Sequence, residues 1–259
     1  MLTIFSIATL ATALTAQATL PEIPTTGSAT HKLIPVPVET YYTPMGFDDN
    51  DNAQIILAGE FANSCQSIGP VQSRVDRDNK VVYLYPTAYE YKGMCLQVKV
   101  PFMRVVDLGL LAQGTYRIVN MQSRTTVKEV LTVHEAKNPR VDNFIYAPVQ
   151  TIFLKNDEEG NRKELILQVT FTNRCMKFGD EPTPVRMTKP GILEVLPIIQ
   201  VKMDPDCQDA ILPYFHTVMI PDANPDGTRI PNGRYLIHVR SMNGSAINKI
   251  DYIQRKIEN

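Results

Sequence analysis

FANSCQS at residues 61–67 and FTNRCMK at residues 171–177 are one phrase written twice. Phe61 answers to Phe171, Asn63 to Asn173 and Cys65 to Cys175, at an offset of 110. Working outward, CLQVKVPFMRVV from Cys95 aligns with CQDAILPYFHTVM from Cys207 at an offset of 112, matching Pro101 with Pro213 and Phe102 with Tyr214. GTYRIVN from Gly114 aligns with GRYLIHV from Gly233 at an offset of 119, matching Tyr116 with Tyr235. Three anchors in one order indicate a duplication. The offset grows because the second copy carries PDANPDGTRIPNG where the first has DLGLLAQG.

Both copies have the periodicity of strands. The first has β-rich runs at 53–61, 80–85, 96–108, 115–120 and 127–134; the second has them at 150–154, 164–171, 192–203, 210–220, 235–240 and 247–253. Val, Ile, Leu, Tyr and Thr dominate these runs, and FDDNDN, RDN, NDEEG, GDEPTP, NPDG, PNG and NGS separate them as turn signals. No long amphipathic helix interrupts the series. Many short strands spaced by turns predict an all-β chain of two tandem β-sandwich domains, at 41–136 and 143–259. Residues 137–142, inside the polar HEAKNPRVDN, form the expected linker. The Pro/Thr-rich stretch 19–40 reads as an extended leader able to lend one edge strand to the first unit.

The composition is that of a chain able to bury a core: 259 residues, 44% hydrophobic and 20% charged. Lys+Arg of 26 against Asp+Glu of 27 leaves a net charge of −1. Such a balance supplies no field for a phosphate backbone, so nucleic acid is not an expected partner. Residues 1–18 contain an uncharged apolar run ending in Ala16-Gln17-Ala18, the small-x-small pattern of a signal peptide, although the first basic residue is Lys32. The run is short for a membrane span, and no other segment approaches one, so the mature chain is expected without a transmembrane segment. An extracytoplasmic location follows, periplasmic or secreted. Four cysteines in an oxidising compartment favour disulfides. If each copy folds alone, Cys65 pairs with Cys95 and Cys175 with Cys207.

LLAQGTYRIVN and RIPNGRYLIHV resemble the last strands of immunoglobulin-like and fibronectin-like modules, where a Gly-x-Tyr enters a strand of alternating apolar residues. The resemblance implies two immunoglobulin-like sandwiches, each with one internal disulfide. It departs from antibody-type domains, because the chain has no Trp and no Tyr two residues before Cys95 or Cys207. Tandem sandwiches of this kind look like those of secreted bacterial proteins without an assigned activity, and fold analogy carries no activity with it.

Motifs for chemistry are missing: there is no G-x-S-x-G, H-E-x-x-H, Walker loop or dinucleotide fingerprint. His31, His134, His216 and His238 are scattered; His216 and His238 fall on neighbouring expected strands, but two imidazoles without a third ligand make no zinc site. Asp48-Asp49-Asn50-Asp51-Asn52 gathers hard oxygen ligands as a calcium loop does, yet lacks the D-x-D-x-D-G order and the closing Glu, and a plain turn is the other reading. No catalytic residue, cofactor or metal ligand is assigned.

Export, duplication and missing catalytic motifs together predict a non-catalytic interaction or structural module that binds another envelope or extracellular protein. A periplasmic pilus-type chaperone is an alternative, since that family also has two immunoglobulin-like domains. Lys137 and Arg140 in the linker supply basic residues for it, but no Arg partner stands in the first expected strand. A hydrolase with a site of scattered polar residues is the other alternative.

Overall fold

The computed structural model describes residues 30–156, 163–202 and 206–254. The signal peptide expected at 1–18 lies outside the described residues. In the N-terminal half, β1 (His31–Pro35), β2 (Val38–Tyr42), β3 (Phe47–Asp48), β4 (Asn52–Phe61), β5 (Gln66–Asp76), β6 (Val81–Tyr91), β7 (Val100–Leu110), β8 (Gly114–Asn120) and β9 (Thr125–His134) follow one another. They form a three-stranded sheet, β2-β4-β7, and a mixed sheet, β1-β6-β8-β9-β3, with β5 also on β6. Ala53, Ile55 and Leu57 of β4, Val82 and Leu84 of β6, and Tyr116 and Ile118 of β8 meet between these sheets as a sealed core. Strand alternation dictates this, because residues two apart share a face.

The C-terminal half contains β10 (Val149–Asn156), β11 (Lys163–Asn173), β12 (Met176–Phe178), β13 (Val185–Lys189), β14 (Ile192–Val195), β15 (Ile199–Val201), β16 (Asp209–Met219), β17 (Gly233–Ser241) and β18 (Ser245–Ile253). The sheets are β10-β11-β16, β13-β14-β17-β18 and the small pair β12-β15. Leu165, Leu167 and Val169 face Leu193, Val195, Ile237 and Val239 across the second core.

The two halves repeat each other in register. Pro101 pairs with Glu60 as Pro213 pairs with Thr170, and Ile118 pairs with Val82 as Ile237 pairs with Leu193. Each first cysteine follows the same turn: the Cys65 amide donates to Asn63 Oδ1 at 2.9 Å, and the Cys175 amide to Asn173 Oδ1 at 2.9 Å. Cys65 is bonded to Cys95 and Cys175 to Cys207, with Cα separations of 5.3 and 5.7 Å. Both tyrosines of the Gly-x-Tyr phrases solve the same problem. Their rings are buried, and the Tyr116 hydroxyl donates to Ala112 O at 2.8 Å as the Tyr235 hydroxyl donates to Pro231 O at 2.7 Å.

The strand pairing goes beyond what was expected, and two expected strands are altered. The sheets are not purely antiparallel: β6 pairs parallel with β8, and β14 with β17. One strand on the opposite sheet, β7, separates β6 from β8, so the two run the same way. The continuous strand expected at 192–203 is broken into β14 and β15 around Pro197, where its equivalent Pro86 stays inside β6 beside a register shift in β5. The run at 96–108 begins as a strand only at Val100. From the Pro/Thr-rich stretch, residues 31–35 and 38–42 pair at sheet edges with β6 and β4.

The halves are stacked, not strung. Tyr42, Ile56, Ala58, Met103 and Val105 on the outer face of β2-β4-β7 pack against Ile192, Leu236 and Ile250 on the outer face of β14-β17-β18. Four sheets therefore lie in layers, and β4 and β17 are covered on both faces.

Candidate functional site

Polar groups surround that apolar seam. The side chains of Leu236, His238 and Arg240 leave β17 on the face opposite the core, so all three point into the seam. Arg240 Nη2 lies 3.0 Å from Asp51 Oδ2 and 2.9 Å from Asp142 Oδ1, and its guanidinium sits 5.7 Å from the ring centroids of both Phe47 and Tyr146. Burial opposes the Arg240 charge, but Asp51 and Asp142 outweigh it and hold the guanidinium protonated.

The acidic run is thereby accounted for. Asp49 Oδ1 accepts from the Ala136 amide at 3.0 Å, and Asn50 Nδ2 donates to Asn138 O and Arg140 O at 3.0 and 2.8 Å. Asn143 Nδ2 donates to Asp48 Oδ2 at 2.7 Å, and Asp51 Oδ2 accepts from the Asp48 amide at 3.2 Å. These residues latch the linker and the second unit onto the first. The site residues of the linker itself, Lys137 and Arg140, are exposed.

His238 is fully buried, and its Nδ1 lies 2.8 Å from Asn248 Oδ1. Asn248 Nδ2 reaches Gln54 Oε1 at 3.5 Å, Gln54 Nε2 donates to Asp107 Oδ1 at 2.7 Å, and Asn52 Nδ2 donates to the same oxygen at 3.0 Å. Burial lowers the His238 pKa to about 4, so the ring is neutral at pH 7. His216 is not its neighbour, contrary to the sequence expectation. It lies on β16 in the other sheet, stacked on Phe178 at 3.8 Å between centroids and 2.8 Å from Thr183 Oγ1. Adjacent places in a strand series do not imply adjacent places in a sheet. Glu194 is also buried in the seam, 3.2 Å from Arg186 Nε, and burial pushes its carboxyl up. A Cβ on Gly46, whose φ is +85°, would stand 3.1 Å from Glu194 Oε1. Lys189 closes the seam's edge, donating to Thr43 O at 2.9 Å and to Val130 O at 3.1 Å.

The network has the chemistry of a clasp: Arg240 on Asp51, Asn143 on Asp48, Asn248 on Gln54 and Lys189 on Thr43 each reach from one half to the other. The surface with an open apolar face lies elsewhere. On the outer face of β10-β11-β16, Phe153 is 47% exposed, Phe215 61% and Ile211 83%. Gln168, paired with Phe215, and Ile166, paired with Phe153 and Thr217, lie between them. Shallow grooves flank the first unit, one beside Pro35, Phe61 and Lys99 and one where Met103 of β7 meets Ile250 and Tyr252 of β18. Sequence reading missed the exposed face, although Phe153, Ile211 and Phe215 on alternate positions of two short strands are its signal. Among the described residues, no cluster of three or more His, Cys, Asp or Glu side chains is placed to hold a metal, and no helix is long and apolar enough to cross a membrane.

The chain carries two disulfides, bonds of the kind that form and persist in oxidising, extracytoplasmic environments. No curated protein and no solved structure matches the chain. Residues 55–128, running from β4 into β9, match the family model of the ORF11 beta-sandwich domain. The N-terminal unit is thus similar to the ORF11 beta-sandwich domain, within a chain that is β-structured in both halves.

Proposed function

We propose that this is an exported, non-catalytic interaction or structural module that binds another protein of the envelope or extracellular space. The observation that carries this reading is the apolar outer face of β10-β11-β16, where Phe153, Ile211 and Phe215 stand in solvent. Large apolar side chains exposed on one sheet face mark an interaction surface more often than an idle one. The Gly-x-Tyr strands with their bonded hydroxyls support the finer view that each unit is an immunoglobulin-like variant, modified by one parallel strand pair. Periplasm or medium is the compartment this reading requires.

The test is cross-linking and affinity capture of the tagged protein from its native envelope and medium, with identification by mass spectrometry. One stoichiometric partner, recovered by the wild type and lost with Phe153→Asp, is the expected result. Recovery of a fibre subunit bound through a strand would replace this reading with a pilus-type chaperone. Recovery of nothing would overturn it.

A further inference from the structure

The seam inside the chain joins two different faces: the three-stranded sheet of the first unit and the four-stranded sheet of the second. Because the units are repeats, each also owns the face it does not use there. In the seam, Tyr42, Ile56 and Val105 lie side by side across β2, β4 and β7. Their register equivalents Phe153, Ile166 and Thr217 lie side by side across β10, β11 and β16, with Phe215 in the place of Met103. Opposite them in the seam, Ile192, Leu236 and Ile250 are neighbours across β14, β17 and β18. Their equivalents in the first unit are Val81, Arg117 and Val130, neighbours across β6, β8 and β9; Arg117 and Val130 are exposed there, whereas Val81 is buried.

We infer that the outer face of β10-β11-β16 takes a second copy of this chain, through that copy's β6-β8-β9 face, and so joins chains head to tail. The substitutions fit this pairing. Phe215 adds an aromatic ring to the free face where the seam has Met103, beside Phe153 in the place of the equally aromatic Tyr42. A cation stands on the matching face, exposed Arg117 where the seam has Leu236. A guanidinium over an aromatic face is attractive, and Arg240 already sits near two rings within the seam. An interface between unlike faces is heterologous, so successive copies form an open chain or a ring, not a closed twofold dimer. The inference shares the exposed face with the proposed function but needs no other protein, so purified chain alone tests it.

Sedimentation velocity of the mature full-length protein over a hundredfold concentration range reads the assembly state. Mass rising in steps of one chain is expected. Phe215→Glu removes one face and Arg117→Glu the other, and each variant alone should stay monomeric with an unchanged circular dichroism spectrum. Mixed together they retain one intact pair of faces, so the mixture should give a dimer of one copy of each and nothing larger. A wild type that is monomeric throughout overturns the inference. So does a closed dimer abolished by Phe215→Glu and untouched by Arg117→Glu, or a mixture that stays monomeric.

Discussion

Arg240 has given up almost all of its water for two carboxylates and two rings. The net worth of such a buried arrangement is modest, since desolvation offsets most of the attraction, but removing one partner strands the others. Arg240→Ala leaves Asp51 and Asp142 facing each other without a counter-charge. It should cost about 3–5 kcal/mol in urea denaturation, far more than Lys32→Ala at the exposed Lys32–Glu90 pair. His238 makes a second prediction. Its folded pKa of about 4 lies below the ordinary value of 6.5, so between those pH values the unfolded chain binds the extra proton. Stability attributable to the neutral ring is complete above pH 6.5 and is lost as pH falls toward 4, by on the order of 3 kcal/mol. The difference between wild type and His238→Leu in denaturation midpoint should shrink across that window; a constant difference would refute the assignment. Little at this scale was legible beforehand. Asp48 to Asp51 read as a turn, with a calcium loop as the lesser alternative, because the groups they hold lie about ninety residues away, at Asn138 to Asn143, or farther still, at Arg240.

At the scale of the element, the corner that opens β8 and β17 is the same device twice. Tyr116→Phe removes one hydroxyl bond to Ala112 O and should cost about 1 kcal/mol, with Tyr235→Phe costing a similar amount through Pro231 O. The disulfides act on the unfolded chain. Replacing Cys65 and Cys95 by Ala frees a 30-residue separation and should lower stability by about 3–4 kcal/mol, measured by thermal unfolding against the wild type. This scale was the most legible. Alternating apolar residues marked most of the strands, and the doubled FANSCQS and GTYRIVN phrases led to the cysteine partners. Which strands lie side by side was not legible, since alternation encodes the face a residue takes and not the neighbour its backbone meets. The parallel β6-β8 and β14-β17 pairs, and the separation of His216 from His238, belong to that second kind of information.

For the whole molecule, the layered stack predicts that the two halves unfold as one cooperative body. Calorimetry of the wild type should give a single transition. Leu236→Asp, which places a charge between Ile56 and Ile250, should separate it into two while leaving each core intact. The seam was only half visible in the sequence: AQIILAGEF is apolar at successive positions rather than alternate ones, the pattern of a strand covered twice. What covers it was hidden, because YLIHVR has His238 and Arg240 where an apolar cover would be expected. Those two residues make the docking discriminating. If the second sheet slid along the first by one residue, Arg240 would lose Asp51 and His238's Asn248 would lose Gln54, leaving the buried guanidinium and the buried Asp51 and Gln54 without these partners. Such a near-miss costs more than leaving the halves apart, so the chain is driven back from wrong alignments before they can settle, and the correct one is reached by rejection as much as by attraction.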